Sequence, residues 1–462
     1  MMLPSCVVAA ALAQLSTAQP TVPISPPMGT TPVRWPDVTS TGSSGFLAIA
    51  GANNIMAQRF DLDGQPVGAA FTVNSDALFA QGPRVAFAPQ LGVSLVTWHA
   101  TINATQTQVR GRFVRTDGTT NFDISSPGTN WEMGSALAWS SRQQLFLVAW
   151  QNTATQIAVQ RVNASGQRVG TELLVDPSVG YERDPSVGYD VVADQFLVAY
   201  AGCVGNDDCL VRAQFIDAAN GTLVGAPLVL EAPVLAGYIP ELAWDALNER
   251  FLAVWYRTVT GNAALRSRTV KSDRTLGTAQ TASPMYASYD ANSVAWNATS
   301  GTFVVVSHAT AQDVAVELTA DGVPLSGSVL WGPTGVTGNF NPRIAASSER
   351  AEWLGVTSTE FGRLSAQRLT TTTRVSMPMD AGVDAGTEDA GVDAGVDAGT
   401  SPTDAGTSQQ PASDAGMNIT GTGSCGCASQ EFAGLLFTLL LLLRPAGASK
   451  FRFSTQRRPR GL

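Results

Sequence analysis

The chain has 462 residues, of which 44% are hydrophobic and only 14% charged, so it is long enough to bury a large core. Its 37 acidic and 28 basic residues give a formal charge of −9, which argues against a nucleic-acid binder, because such proteins need a clustered basic face. Only two histidines are present, which disfavours histidine-rich metal sites and most histidine-based acid–base chemistry.

The first 18 residues are uncharged and rich in Ala, Val and Leu. Ser16 and Ala18 place small residues at positions −3 and −1 before Gln19, the pattern that a signal peptidase accepts. We therefore predict a signal peptide over residues 1–18 with cleavage after Ala18, although the usual positively charged start is missing. The alternative interpretation is a buried N-terminal helix.

One apolar string recurs seven times at intervals of about 50 residues. A well-formed copy reads Phe146-Leu-Val-Ala-Trp150, and the seven copies begin at Phe46, Ser94, Phe146, Phe196, Phe251, Phe303 and Trp353. Such a short continuous run of branched and aromatic residues is typical of a strand that is buried on both faces.

Each copy belongs to a larger unit with three further strand-like segments. About 10 residues upstream comes a string such as Pro83-Arg-Val-Ala-Phe87, with weaker forms at Pro36, Ser135, Pro185, Ser293 and Pro342. Downstream, an alternating segment leads to a turn such as Asp63-Gly64, and a fourth apolar segment closes the unit. Four strands per unit, repeated seven times without helical periodicity, predict an all-β, seven-bladed β-propeller over residues 19–375.

The seventh unit lacks a fourth strand after Leu369. Residues 21–25 stand before Pro36 at the spacing that fourth strands keep before the next unit, so we predict that they complete the last blade. This closure would remove both open edges of the ring. An open arrangement of six or eight units, or a pair of β-sandwiches, is the alternative.

Two segments of different composition follow the repeats. Residues 376–424 contain seven Asp-Ala-Gly triplets and almost no large apolar group, which predicts a disordered linker. Residues 425–462 hold Cys425-Gly-Cys427, an apolar run over 432–443 and a basic end. As a helix the run covers about 18 Å against a hydrocarbon core of about 30 Å, so it is a marginal membrane anchor, with a core helix as the alternative.

A secreted body, an Asp/Gly-rich spacer, Cys-Gly-Cys, a short Leu-rich run and an Arg-rich end together resemble the MYXO-CTERM sorting tail of myxobacterial surface proteins. The resemblance covers about residues 421–462. It implies that the tail is processed, and the protein retained at the cell surface, at Cys425 or Cys427. This tail runs on through Phe451 and Phe453, whereas family tails end soon after the arginines. The resemblance concerns the address of the protein and not its activity.

Cys203 and Cys209 flank a short segment that reads as a hairpin tip. In an exported protein this spacing predicts a disulfide, with a metal site completed by outside ligands as the alternative. Six tryptophans recur at two strand-end positions, which favours core packing over a sugar-stacking surface: Trp98, Trp150 and Trp255, and Trp139, Trp244 and Trp296.

Three other sets of side chains have both a functional and an ordinary interpretation. Arginines recur on the third strand, either on a solvated face or converging on an anionic ligand: Arg59, Arg112, Arg161, Arg268 and Arg368. The segments starting at Asp61 and Asn206 resemble calcium loops but lack five or six alternating oxygens, so we expect turn carboxylates. His99 and His308 follow equivalent strands and could form a catalytic pair, with two loop residues as the default.

The sequence therefore predicts an exported, surface-anchored propeller that acts as a non-enzymatic recognition or adhesion module. Its ligand is expected to be an extracellular glycan, envelope component or protein, and its C-terminal segment is expected to contact the membrane. We expect no catalytic residue, metal, cofactor or nucleic-acid partner, and a monomer. The alternatives are an extracellular polysaccharide hydrolase or lyase and a purely structural surface protein.

Overall fold

A computed structural model shows seven antiparallel sheets that form the blades of a β-propeller. The structure describes residues 14–18, 22–24, 34–51, 54–74, 78–103, 106–115, 120–126, 133–152, 156–177, 181–204, 208–231, 237–259, 262–283, 292–309, 312–325, 327–333, 341–358 and 364–374. Residues 1–13, the predicted linker and the predicted tail with Cys425 and Cys427 lie outside this set, so the predictions for them stay predictions.

The strands of the first four blades follow the chain in order, four to a blade. Blade 1 has Arg34–Ser40 (β3), Phe46–Gly51 (β4), Ile55–Phe60 (β5) and Pro66–Thr72 (β6). Blade 2 has Phe79–Ala88 (β7), Val93–Asn103 (β8), Gln106–Val114 (β9) and Phe122–Asp123 (β10). Blade 3 has Met133–Ser140 (β11), Leu145–Gln151 (β12), Ile157–Asn163 (β13) and Arg168–Leu174 (β14). Blade 4 has Tyr181–Asp190 (β15), Gln195–Val204 (β16), Asp208–Asp217 (β17) and Leu223–Glu231 (β18).

The last three blades follow the same plan, except that the last one is completed from the N-terminus. Blade 5 has Gly237–Asp245 (β19), Arg250–Val259 (β20), Asn262–Lys271 (β21) and Gln280–Ser283 (β22). Blade 6 has Asn292–Asn297 (β23), Thr302–Ala309 (β24), Gln312–Leu318 (β25) and Val329–Trp331 (β26). Blade 7 has Arg343–Ala346 (β27), Glu352–Ser358 (β28) and Leu364–Thr371 (β29), joined by Leu15–Thr17 (β1) and Val22–Ile24 (β2).

A single turn of 3₁₀-helix, Gly42–Ser44, connects β3 to β4. In the described part of the chain, no helix has the length and apolar character needed to cross a membrane.

The first strands of the seven blades form the wall of a central channel. Each contacts the first strands of its two neighbours, and β27 contacts β3, so the cycle closes. The second strands are the seven copies of the apolar string, and β4 is buried along its whole length. The predicted seven-bladed propeller of four-stranded blades is confirmed.

The recurring tryptophans pack in the core, as their register predicts. Trp98, Trp150 and Trp255 are completely buried. The other set stacks on the phenylalanine that begins the paired second strand: ring centroids are 4.7 Å apart in Trp139–Phe146 and Trp244–Phe251, and 4.6 Å apart in Trp296–Phe303. A tilted aromatic pair at this distance adds stabilisation beyond the buried area.

Two N-terminal strands pair with β29 and complete the last blade. Val22–Ile24 pairs with residues 364–366 and lies within the predicted closing segment 21–25. Leu15–Thr17, which the sequence analysis placed in the leader, pairs with residues 369–371. Leu15 is 1% exposed and belongs to the apolar cluster that contains Trp331 and Trp353. The N-terminus therefore adds one more strand to the last blade than predicted, because Leu15 fills a core position that its sequence context does not reveal.

We predict that Leu15→Ala destabilises the ring, since truncating a buried leucine costs about 2–4 kcal/mol. Ser16→Ala is the matched control, because Ser16 is exposed on the same strand. Chemical denaturation of the two variants measures the difference. Equal midpoints for Leu15→Ala and the unchanged protein would contradict the packing of β1 in the last blade.

Candidate functional site

Five first strands carry the same irregularity near their start. The pairing with the second strand gains one extra residue there, which is a β-bulge. In each bulge one residue has a left-handed backbone with φ between +50° and +59°: Trp35, Gly82, Gly134, Asp184 and Ile239.

Three of these bulge residues are strained. Trp35, Asp184 and Ile239 carry side chains at a φ that L-residues avoid, and Ile239 is β-branched, for which this conformation is a genuine outlier. Each is followed by a proline, which further restricts the backbone of the residue before it. Such residues cost on the order of 1–3 kcal/mol each and cluster at functional sites.

The bulges border a cavity of about 470 Å³ at one end of the channel, which we call the funnel. Its volume lies within the range of about 300–1,000 Å³ that is usual for small-ligand sites. Its lining combines an indole, prolines, amides and charged groups: Trp35, Pro36, Gln81, Gly82, Pro83, Arg84, His99, Gly134, Gln151, Asp184, Pro185, Ile239, Pro240, Glu241, Asn341 and Arg343.

One position of the repeat forms the floor of the funnel. It is the residue after the recurring proline, or after Ser135 in blade 3 and Asn292 in blade 6, and it reaches a narrow space of about 140 Å³ in all seven blades. The strand register therefore moves the blade 6 equivalent of the proline from Ser293, as the sequence suggested, to Asn292. We call this set the axial ring: Asp37, Arg84, Ala136, Ser186, Glu241, Ser293 and Arg343.

The charged members of the axial ring pair across the channel. Arg343 of blade 7 donates a hydrogen bond to the Glu241 carboxylate of blade 5 and a second, 3.2 Å long, to the Asn292 carbonyl. Arg84 of blade 2 places its Nη2 3.6 Å from Glu241 Oε1. With Asp37, two guanidinium groups face two carboxylates, so the floor of the funnel is balanced in charge.

Three polar members of the axial ring bind the backbone of the next blade. Asp37 Oδ2 accepts a hydrogen bond of 2.9 Å from the Val85 N–H. Ser186 Oγ accepts one of 3.1 Å from the Leu242 N–H, and Ser293 Oγ one of 3.4 Å from the Ile344 N–H. The same position therefore fastens blade 1 to blade 2, blade 4 to blade 5 and blade 6 to blade 7.

Ionisation in the axial ring depends on these pairs. Desolvation raises the pKa of the Asp37 carboxyl, and the guanidinium groups of Arg84 and Arg343 oppose that rise. Desolvation also lowers the pKa of Arg84, and the nearby charge of Arg343 adds to the effect. Each charge of the ring thus relies on an opposite charge from another blade.

The two histidines do not come together. His99 lines the funnel, with its Nε2 3.4 Å from Gln81 Oε1. Burial lowers the pKa of His99 to about 4, so its imidazole is neutral at neutral pH. His308 instead places Nδ1 2.9 Å from Asp313 Oδ1 within blade 6 and does not line the funnel. Both lie within second strands, β8 and β24, so the expectation of two loop residues is wrong, and the two imidazoles have different partners on separate blades.

The recurring arginines do not converge on one ligand. They fall on two adjacent positions of the third strand, whose side chains leave opposite faces of the blade. Arg112 and Arg268 donate to carbonyls of the preceding blade, Val73 O and Leu230 O.

Two other arginines of this set reach the following blade. Arg161 donates to the Ala218 carbonyl at 3.2 Å, and Arg368 donates to Asp63 Oδ1 at 3.0 Å. Arg59 stacks its guanidinium over the Phe71 ring at 5.6 Å. These arginines connect neighbouring blades or cover the blade face.

The segment that resembles a calcium loop is a turn. Asp61 Oδ1 accepts hydrogen bonds from the backbone N–H groups of Asp63 and Gln65, at 2.9 and 2.8 Å. Asn206 and Asp207, from the second such segment, lie outside the described residues. Within the described ranges, no group of three or more His, Cys, Asp or Glu is placed to hold a metal ion.

Cys203 and Cys209 form a disulfide between β16 and β17, where they are directly paired across the two strands. Both residues are buried, in a small cluster with Ala201 and next to Tyr181. Tyr181 pairs with Cys203 near the start of β15, three residues before Asp184. The disulfide therefore lies at the funnel end of blade 4.

Sequence reasoning missed the residues that give the funnel its character. Trp35 is 37% exposed, whereas every other tryptophan in the described ranges is buried or half-buried. Its sequence position carries a signal, because Trp35 precedes the recurring proline instead of ending a strand. Asp184 and Ile239 share that position, and the residue after the proline marks the axial ring.

Comparison with known proteins supports the fold alone. No family model matches the chain, and no curated protein matches it. The BP39L lectin from Burkholderia pseudomallei superposes with a TM-score of 0.55 and 11% identity, over 74% of this chain and 96% of the lectin.

Two other solved structures overlap less well. A polysaccharide lyase of the PL25 ulvan lyase family gives a TM-score of 0.46 at 10% identity, over 75% of this chain and 94% of the lyase. Raptor from Chaetomium thermophilum gives 0.49 at 10% identity, and this chain spans 28% of its length.

We predict that Glu241→Gln destabilises the propeller, because it leaves Arg84 and Arg343 without their shared carboxylate. Removing one partner of a buried pair costs about 3–5 kcal/mol, and the lower end applies because 16% of the Glu241 side chain is exposed. Glu349→Gln is the control, at an exposed turn. Urea unfolding that ranks the two variants as equal would contradict a stabilising role for the ion pairs of Glu241 with Arg84 and Arg343.

A second group of titratable residues lies between blades 3 and 4. The fully buried Glu182 accepts a hydrogen bond of 2.6 Å from the Ile157 N–H, and Asp176 accepts one each from Tyr200 Oη and Arg212 Nη1. Desolvation raises the pKa of Glu182 to about 8, and the charge of Asp176 contributes to the rise.

Because its pKa in the folded state lies above the ordinary value of 4.5, Glu182 makes folding less favourable as the pH rises from about 4.5 to 8. We predict that Glu182→Gln removes this loss, which is about 4 kcal/mol between pH 5 and pH 8.5. Urea unfolding of both proteins at pH 5 and pH 8.5 measures it, with Glu349→Gln as the control. A pH dependence that Glu182→Gln leaves unchanged would assign the loss to another group.

Proposed function

We propose that the protein is an exported recognition module that binds a carbohydrate in the funnel without converting it. The observation that carries the proposal is the strained backbone of Trp35, Asp184 and Ile239, all of which line the funnel. Strain of this kind persists only where the surrounding structure enforces it, and here it brings one aromatic, one acidic and one aliphatic side chain to a common cavity.

The lining suits the hydroxyl-rich, partly apolar surface of a sugar. The exposed indole of Trp35 offers a flat apolar face for the C–H side of a sugar ring. Amides of Gln81, Gln151 and Asn341 supply both donors and acceptors, which is what a hydroxyl group requires. The Asp184 side chain, 40% exposed and 3.6 Å from Arg183 Nε, adds a further acceptor.

The carboxylates of the funnel favour binding over hydrolysis. Cleavage of a glycosidic bond uses two carboxyl groups on either side of the scissile bond, one as an acid. Glu241 is held by Arg343 and Arg84, and Asp37 accepts the Val85 N–H. Among the described lining residues, this leaves Asp184 as the acid most open to the cavity, whereas the reaction needs a pair.

The similarity to the BP39L lectin is consistent with this proposal, because it shows the same fold in a protein named as a lectin. At 11% identity the likeness supports the fold alone. The choice of a sugar ligand therefore rests on the funnel itself.

Export and retention at the cell surface are proposed on the sequence features at the two ends. A disulfide at Cys203 and Cys209 fits an oxidising compartment. The linker over 376–424 would hold the propeller away from the envelope, and the segment over 432–443 would contact the membrane after processing at Cys425 or Cys427. Reach of this kind suits an adhesin.

We predict that the full chain retains an intact polysaccharide from a panel of extracellular glycans, and that Trp35→Ala weakens binding at least about tenfold through loss of the stacking face. Asp184→Asn should weaken binding less, because the amide keeps one acceptor. Leu247→Ala is the control, since Leu247 is exposed on a turn at the opposite end of blade 5.

Calorimetry and analysis of released sugars are run on the same samples. Binding that survives Trp35→Ala would move the site away from the funnel. New reducing ends or shortened polysaccharide chains would contradict binding without conversion and would support the alternative function, a hydrolase or lyase.

A further inference from the structure

Strand β1 is tied into the last blade along its whole length. Its residues pair with Thr371, Thr370 and Leu369 of β29. The pairing extends past both ends of the strand, because the Gln14 N–H donates to Thr372 Oγ1 at 3.2 Å and the Ala18 N–H donates to the Arg368 carbonyl at 3.0 Å.

Cleavage after Ala18 would remove this strand from the folded protein. Residues 369–371 of β29 would become an unpaired edge, which soluble β-proteins avoid. The place of Leu15 beside Trp331 and Trp353 would become a cavity in the core. A leader that ends at Ala18 therefore conflicts with the structure of the last blade.

The sequence offers a second site that spares the strand. Ala11 and Ala13 place small residues at −3 and −1 before Gln14, and residues 6–12 form an unbroken apolar run of the kind that precedes such a site. Residue types alone do not choose between Ala13 and Ala18, since both satisfy the −3 and −1 preference. The burial of Leu15 in the core of blade 7 favours cleavage after Ala13, because cleavage after Ala18 would remove Leu15.

We infer that the leader is cut after Ala13, so that the mature chain begins at Gln14 and keeps the entire closing strand. The inference rests on the export included in the proposed function. In the mature chain, the new N-terminal segment, which holds β1, is the one that pairs with β29 and completes blade 7. Both ends of the propeller domain then meet in one sheet.

The test is to express the full chain in an exporting bacterium, purify the exported protein and identify its N-terminal peptide by mass spectrometry. We expect a chain that starts at Gln14, free or cyclised. A start at Gln19 would overturn the inference and leave export intact. Recovery of the chain only from the cytoplasm, with residues 1–13 still attached, would overturn both the inference and the export.

Two matched substitutions at the −1 positions separate the sites. Ala13→Leu should reduce the yield of the chain that starts at Gln14 at least about tenfold, because a large residue at −1 blocks the peptidase. Ala18→Leu should leave that chain and its yield unchanged. Loss of processing in Ala18→Leu, with normal processing in Ala13→Leu, would place the cut after Ala18.

Discussion

The seven residues of the axial ring all point to the channel axis, one from each blade. Because they lie close together, the repeat cannot place the same charged residue at this position in every blade. Seven like charges could not be buried together, because the desolvation of each would add to the repulsion from the others. The blades instead carry different residues at this position: two arginines, two acids, two serines and one alanine. Its charged members pair between blades 2, 5 and 7, and its serines and Asp37 bind the backbone of the next blade. The residues that form the floor of the funnel therefore also hold the blades of the propeller together.

Closure of the ring makes the strained mouth of the funnel sustainable. Each first strand is held by two neighbours and by its own second strand, so the bulges at Trp35, Asp184 and Ile239 cannot relax without moving adjacent blades. The cycle ends where the two N-terminal strands pair with β29. The pairing of β1 and β2 with β29 therefore helps to hold the closed cycle of first strands, and this cycle holds the bulges at the mouth of the funnel.

The architecture could be read from the sequence because burial repeats along the chain. The apolar string marks each second strand, and Asp-Gly turns separate the strands beyond it, so seven blades follow from spacing alone. The core tryptophans were predictable for the same reason, since they share a register.

The funnel could not be read in this way, because it depends on where separate blades meet. Trp35 stands outside the register of the other tryptophans, and a bulge gives it a direction that strand alternation does not predict. His99 and His308 look equivalent in the repeat, yet one lines the funnel and the other pairs with Asp313 in its own blade. The role of Leu15 could not be predicted for a different reason. It follows an apolar run that resembles a leader, and nothing in the sequence there indicates a strand.

The most direct test of the account is a crystal structure of the protein with a glycan that it retains from the panel. The account predicts a sugar ring against the Trp35 indole, with hydroxyl groups on the Gln81 and Gln151 amides and the axial ring unchanged below it. A glycan bound elsewhere, on the hairpin of Cys203 and Cys209 or between blades, with the funnel free of sugar, would contradict it.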